Sequence, residues 1–172
     1  MKKIASIILV IACLLSFAAC GSSEPESNRL DTTSADIAKN LPDKLELDDL
    51  DCLTEKDSTA ENLLVFIYGI DESLIEKIDS YFITNSHRST DARAIAVIFF
   101  KDSETVKEDI SSAESAIRDI YLKNLVNTTA TYDAEQSKIA GAANFKLYDN
   151  ALAFASYDTN GNSAVFDAIE GK

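Results

Sequence analysis

Ala94 to Lys101 reads AIAVIFFK, seven apolar residues in succession before the first charge. A strand with one wet face alternates apolar and polar residues. An unbroken apolar run instead implies a central strand buried on both faces or nearly so. A chain that carries such a strand must supply strands to flank it and helices to cover it.

The candidates for both are legible. Ile78 to Thr84 (IDSYFIT) is aromatic and β-branched, which predicts a strand. Ala143 to Tyr148 and Ala151 to Tyr157 are two more, joined at Asp149-Asn150, residues that tolerate positive φ and so predict a tight hairpin. From Ser103 to about Leu125, Val106, Ile110, Ala113, Ile117 and Ile120 form one apolar stripe, with charged residues on the other sides. That is a long amphipathic helix lying on a sheet. Shorter helices are predicted from Thr33-Ser34-Ala35-Asp36 to Pro42, from Ser58 or Thr59 to Tyr68 with Gly69 closing it, from Asp133 to Gly141, and from Asn162 through Ile169. Asn127 to Thr131 reads as a polar linker. The stretch from Leu45 to Asp51 reads as a short strand or an exposed loop. The expected fold class is α+β: a two-layer, four-stranded, mainly antiparallel sheet with helices packed on one face, and the long helix between two ββα halves.

The N-terminus predicts location. Lys2 and Lys3 precede an apolar run from Ile4 to Ala19, which is short for a bilayer span and has no basic flank after it. The layout is that of a secretory signal. Ala18-Ala19-Cys20 resembles the cleavage site of bacterial lipoproteins, although Phe17 stands where that family usually has Leu. The resemblance implies that Cys20 receives a diacylglycerol and becomes the first mature residue. Two acyl chains anchor stably where one does not. The competing expectation is an ordinary secretory cut after Ala18. The predicted organisation is a lipoprotein signal peptide over 1–19, a flexible tether over 20–33 and a single α+β domain over 34–172, in the cell membrane and facing outside the cytoplasm.

Of 16 basic and 29 acidic residues, two lysines leave with the signal, so the mature chain carries 14 against 29. Such a surface repels nucleic acid, which excludes a basic nucleic-acid-binding role. Cys13 also leaves and Cys20 is consumed by lipid, so Cys52 has no partner in the lipidated form. Next to Asp51 it is a poor nucleophile and reads as a small core residue.

No constellation carries chemistry. His87 is the single histidine and reads as a loop residue. Asp48, Asp49 and Asp51 could offer oxygens to Ca²⁺ but read as a solvated face. Asp158-Thr159-Asn160-Gly161-Asn162 begins like a calcium loop, but its glycine is at the fourth position and not the sixth, so turn chemistry explains it better. Tyr68-Gly69-Ile70-Asp71 could line a binding surface, yet Gly69 ending one helix and Asp71 starting the next segment is the simpler account. Catalytic, cofactor and metal residues are all expected to be absent.

Taken together, Ala35-Asp36-Ile37-Ala38, Tyr68-Gly69-Ile70-Asp71, Ala94 to Phe99, the long helix and Tyr132 resemble a family of short lipoproteins of Gram-positive anaerobes. That family carries a single domain of unknown function. The sequence departs from it at Ala94, where Glu is frequent, and at Ala134, where Pro is expected. The resemblance implies an anchored α+β domain and imports no activity. The function expected is a non-enzymatic binding or interaction domain, held to the membrane and meeting an extracytoplasmic protein or wall component. The alternatives are a small-molecule or ion-binding lipoprotein and, behind these, a carboxylate-based cell-wall hydrolase.

Overall fold

The computed structural model describes residues 28–45, 47–54, 58–86, 88 and 90–172. Cys20, His87 and the signal segment lie outside the described residues. In chain order the elements are helix α1 (Ser34–Lys44), strand β1 (Leu50–Leu53) and helix α2 (Ser58–Asn62), which continues into a π-helical stretch (Leu63–Ile67). Helix α3 (Glu72–Ile75) and strands β2 (Ile78–Ser86) and β3 (Ala94–Phe100) follow. Then α4 (Val106–Ala116) passes through a second π-helical stretch (Ile117–Leu122) into α5 (Lys123–Tyr132). The chain ends with α6 (Ala134–Gly141), β4 (Asn144–Leu147), β5 (Ala151–Ser156) and α7 (Ser163–Ile169).

The AIAVIFF run forms β3, and every residue of it is buried. It lies third in an antiparallel sheet of order β1-β2-β3-β5-β4. The α+β class stands, but the sheet has five strands where four were expected. The additional one is β1, built from the acidic stretch Leu50-Asp51-Cys52-Leu53 and paired with Ile83 to Ser86. Short, charged strands are what sheet edges tolerate, and for the same reason their sequence carries little strand signal.

The expected two-layer arrangement is also corrected, because helices cover both faces. Ala96, Ile98 and Phe100 of β3 point with Phe154 of β5 into a core closed by α2, α3 and α4. Ile95, Val97 and Phe99 point the other way, with Ala151, Ala153 and Ala155, into a second core closed by α1 and α7. The alternating alanines of β5 leave room there for Val165 and Phe166 of α7. Each fully buried Ile, Leu or Phe contributes about 1.5–3 kcal/mol, so an all-apolar β3 is useful only when both faces are dry. The two ββα units therefore lie in sequence without equivalent packing, since α4 and α7 sit on opposite faces. A register shift between Ile78 and Ser80 in β2 places Ile78 on the same face as Tyr81 and Ile83. Without that bulge, the period of two would put Ile78 with Phe82 on the opposite face.

The long helix extends to Tyr132, so the stretch 127–131 is helical and not a linker. Its buried stripe also departs from expectation. Ile110, Ala113 and Ile117 face the core, but Ile120 is 44 % exposed, and Leu125 and Thr129 continue the buried line through Tyr121. Steps of four from Ile117 onward overshoot a 3.6-residue turn by about 40° each. The wider π-helical turn at 117–122 takes that drift back. Thr129 is accommodated in the interior by donating its hydroxyl to the carbonyl of Leu125, at 2.8 Å.

At the ends of elements, the Thr33 hydroxyl caps α1 by accepting from the Asp36 amide at 3.1 Å. Pro42 does not stop this helix but sits in its last turn, where the missing N–H forfeits one bond. Asp133 caps α6 as expected. Asn162 precedes α7 without capping it: its side chain accepts from the amides of Tyr157 and Asp158 and donates to the Ala142 carbonyl. The β4–β5 turn uses no positive φ; among the described residues only glycines have one. The turn is fastened by the chain's N-terminal side. The Leu30 amide donates to Asn150 Oδ1 at 2.9 Å, Asn150 Nδ2 donates to the Leu30 carbonyl at 3.2 Å, and Asn28 bonds Asp149. Residues assigned to the tether by sequence thus dock on the domain from Asn28 onward.

Candidate functional site

The two π-helical stretches meet each other at one end of the sheet. After the first, Tyr68 turns inward and Gly69 adopts φ +75°, the left-handed conformation that ends the helix. Asp71 then caps α3 by accepting from the Ser73 amide at 2.8 Å. Gly69 and Asp71 thus have the structural roles the sequence suggested. From the second stretch, Tyr121 reaches the same place. The Tyr68 and Tyr121 rings lie 4.5 Å apart, and Tyr121 meets Phe154 edge-on at 5.8 Å.

These tyrosines form the inner wall of a cleft of about 250 Å³. Leu63, Ile67 and Leu125 supply apolar wall, while Thr84, Asn85, Ser86 and Arg88 supply polar wall. Tyr68 is 2 % exposed and its hydroxyl has no hydrogen-bond partner among the described residues; the same holds for the Tyr121 hydroxyl. Among the described residues no side-chain polar atom is sealed away without a partner, so both hydroxyls open on the cleft. Burial pushes both phenols above the ordinary tyrosine range, with Tyr121 adding to the shift at Tyr68 and Asp91 to that at Tyr121. Both are neutral hydrogen-bond donors and acceptors at physiological pH.

The far wall is held by Arg93. Its guanidinium donates to Asp49 at 3.0 and 2.5 Å and to Asp91 at 3.1 and 2.7 Å. Asp91 also accepts from the Ser86 hydroxyl at 3.0 Å. Arg93 thereby ties the turn before β1 to the turn before β3. Its hydrogen bond lowers the pKa of Asp49. Burial raises that of Asp91, but the bonds from Arg93 and Ser86 outweigh it and leave it low. Both acids remain ionised.

Phe66 is 72 % exposed, Ile67 on the cleft wall is 48 % exposed, and Ile120 on the second π-helical stretch is 44 % exposed. The exposure of Ile120 is not legible in the sequence, because an α-helical count places this residue inward. Tyr68, a possible binding residue by sequence, does line the cleft; Arg93, Asp91 and Tyr121 carry no such signal in the sequence. Ala94 lines it too, where the resemblance led to an expectation of Glu.

The remaining candidates are dispersed. Asp49 is drawn to Arg93, away from any shared site with Asp48 and Asp51, and among the described residues no group of three His, Cys, Asp or Glu could hold a metal. The Asp158 carboxylate accepts from the Asn160 amide at 2.7 Å, as a turn requires. Cys52 is a free thiol exposed on β1, not the core residue expected. Partial burial and the Asp51 charge raise its pKa, in keeping with a weak nucleophile. Among the described residues no helix is long and apolar enough to cross a membrane.

The fold and cleft define a single α+β domain with a five-stranded antiparallel sheet and a polar–apolar groove at one sheet end. Over residues 48–157, more than half of the chain, the sequence matches the family described as Domain of unknown function (DUF4358), and the chain belongs to that family. The match begins at the turn that carries Asp49 and ends just after β5, so it contains the whole sheet and all the cleft residues. No curated protein and no solved structure matches the chain.

Proposed function

We propose that this protein is a lipoprotein anchored through Cys20 outside the cytoplasm, and that its domain is a non-enzymatic binding module that engages a protein or wall component at the cleft. The carrying observation is the pair of tyrosine hydroxyls, without a hydrogen-bond partner among the described residues, close to the exposed Phe66 and Ile67. A buried polar group left open to a groove, beside apolar side chains left open to water, is an arrangement that a bound partner completes.

Two further features support the reading. The N-terminal segment docks on the β4–β5 turn, at the Phe100 end of β3, whereas the cleft lies at its Ala94 end. The seven residues between span about 20 Å at the usual strand rise. A domain anchored through the segment before Asn28 would thus hold its cleft at the opposite end from the anchor. Asp91, which lines the cleft, and Asp49 are also both spent on Arg93. A carboxylate hydrolase needs one acid with a raised pKa to protonate its leaving group, and both acids here are shifted the other way.

The test is a photocrosslinking residue placed at Ile67 of the full chain in intact cells, with Cys20→Ser examined alongside. The expected outcome is a discrete crosslinked partner, and release of the Cys20→Ser protein from the membrane fraction. Crosslinking no different from that of a probe at Lys172 would overturn the cleft assignment. Retention of Cys20→Ser in the membrane would overturn the anchor.

A further inference from the structure

The cleft continues into a longer trough. Ile67, Tyr121 and Leu125 line both the cleft and a second groove of about 220 Å³ alongside Asn124 and Thr128. Phe66 in turn lines that groove and a third of about 260 Å³ between α2 and α3. The third is lined by Val65, Phe66 and Ile75 together with Glu61, Glu72 and Glu76. The sequence of surfaces is therefore acidic, then apolar, then the tyrosine cleft.

Like Asp43, Asp48, Glu104, Glu108 and Asp119, the three glutamates differ from the acids that are ion-paired. Asp102, Asp109, Asp149, Glu114 and Glu170 each have a basic partner. Glu61, Glu72 and Glu76 have no ion pair among the described residues. The cations beside them are otherwise engaged: Lys77 on Asp109, and Lys101 on the backbone carbonyl of Glu76. A groove lined by apolar side chains and by carboxylates without ion pairs complements a segment that is both apolar and basic. The charge pattern disfavours other occupants. A second copy of the chain, with 29 acidic against 16 basic residues, would approach with like net charge. An anionic lipid surface would be repelled by them.

We propose that the trough receives a basic amphipathic segment of a partner protein. Its apolar side chains seat against Phe66 and Ile67, its lysines or arginines meet Glu61, Glu72 and Glu76, and its backbone or polar end satisfies the Tyr68 and Tyr121 hydroxyls. This rests on the reading of the cleft as a binding site and names the chemistry of what it binds.

Two linked measurements test it. In the first, a fluorescent synthetic amphipathic peptide of leucine and lysine is titrated into the purified full chain, with its leucine–glutamate counterpart as control. The lysine peptide alone is expected to bind. Phe66→Ser, and separately Glu72→Lys/Glu76→Lys, are expected to weaken it at least about tenfold, the charge variant losing its salt dependence as well. These positions are on the surface, so unchanged thermal unfolding checks that the variants remain folded. Equal binding of both peptides, or no loss in the charge variant, overturns the proposal. In the second, the Ile67 crosslink in cells is repeated in each variant. A crosslink lost in Phe66→Ser but kept in Glu72→Lys/Glu76→Lys leaves the cleft reading standing and sinks the basic partner. A crosslink to a second copy of the chain sinks it too. A crosslink lost in both variants supports it.

Discussion

Gly69 and Ile120 are packed so closely that a β-carbon on residue 69 would lie 2.5 Å from Ile120 Cδ1 and 2.8 Å from Ile120 Cβ. One belongs to the end of α2's π-helical stretch, the other to the π-helical stretch of the long helix. Their contact sets how near the two stretches come, and hence the spacing of Tyr68 and Tyr121 at the cleft. Gly69→Ala has to be accommodated at φ +75° as well as against Ile120. The left-handed conformation costs an L-residue about 1–2 kcal/mol, and overpacking adds about 1–3. Gly69→Ala is therefore expected to destabilise by about 3 kcal/mol in denaturant unfolding. Combined with Ile120→Ala it should recover the overpacking share while the backbone share remains, so the double-mutant cycle shows a coupling of about 1 kcal/mol or more.

Asn150 satisfies both backbone groups of Leu30. Asn150→Ala leaves a buried amide and a carbonyl unpaired, for a loss of about 2 kcal/mol. Asn28→Ala keeps its backbone bonds to Asp149, removes only the exposed bond from its Nδ2 to the Leu147 carbonyl, and should cost under about 1 kcal/mol. Amide hydrogen exchange at Leu30 is expected to accelerate far more in the first variant, as the N-terminal segment lifts from the β4–β5 turn.

Arg93 has 22 % of its side chain exposed and Asp91 only 4 %. Arg93→Met strands the Asp91 charge, and removing one partner of a buried pair costs about 3 kcal/mol or more. Arg93→Met with Asp91→Asn should be less destabilised than Arg93→Met alone. The opposite order in urea unfolding would mean that Asp91 is stabilised by groups other than Arg93.

Glu170 accepts from Lys146 and Lys172, and from the Tyr148 hydroxyl at 2.8 Å; these bonds, led by Lys146, hold its pKa at about 2 against an ordinary 4.5. Because the folded-state value is the lower one, the stabilisation is fully present above pH 4.5 and is lost as pH falls towards 2. Thermal unfolding of the wild type should therefore decline more steeply over that window than that of Glu170→Gln.

Cys52 is exposed, and its raised pKa keeps most of it as the thiol at neutral pH. A maleimide should label the native domain once, slowly, and faster above pH 9. Asp51→Asn should speed labelling at neutral pH by removing a charge that opposes the thiolate.

Sequence by itself determined those features whose cause is local. An unbroken apolar run demanded a strand dry on both faces, and β3 is that strand. Thr33 and Asp133 carry capping chemistry within a few residues of what they cap, and the polar and apolar faces of α4 repeat at a period set by the helix itself. Tertiary structure decided whatever depends on residues far apart in the chain. Acidic Leu50 to Leu53 is a strand because β2 offers an edge to pair with. The second covered face exists because α1 and α7, from the two ends of the described chain, meet over the alanines of β5. Ile120 faces out because a π-helical turn alters the helical count, and the cleft exists because that turn meets another some fifty residues earlier, with Arg93 pulling Asp49 and Asp91 together on the far side. Hydrogen-bond period and side-chain pattern are properties of a segment and can be read from it. Register, pairing and the meeting of distant side chains are settled only when the cores close.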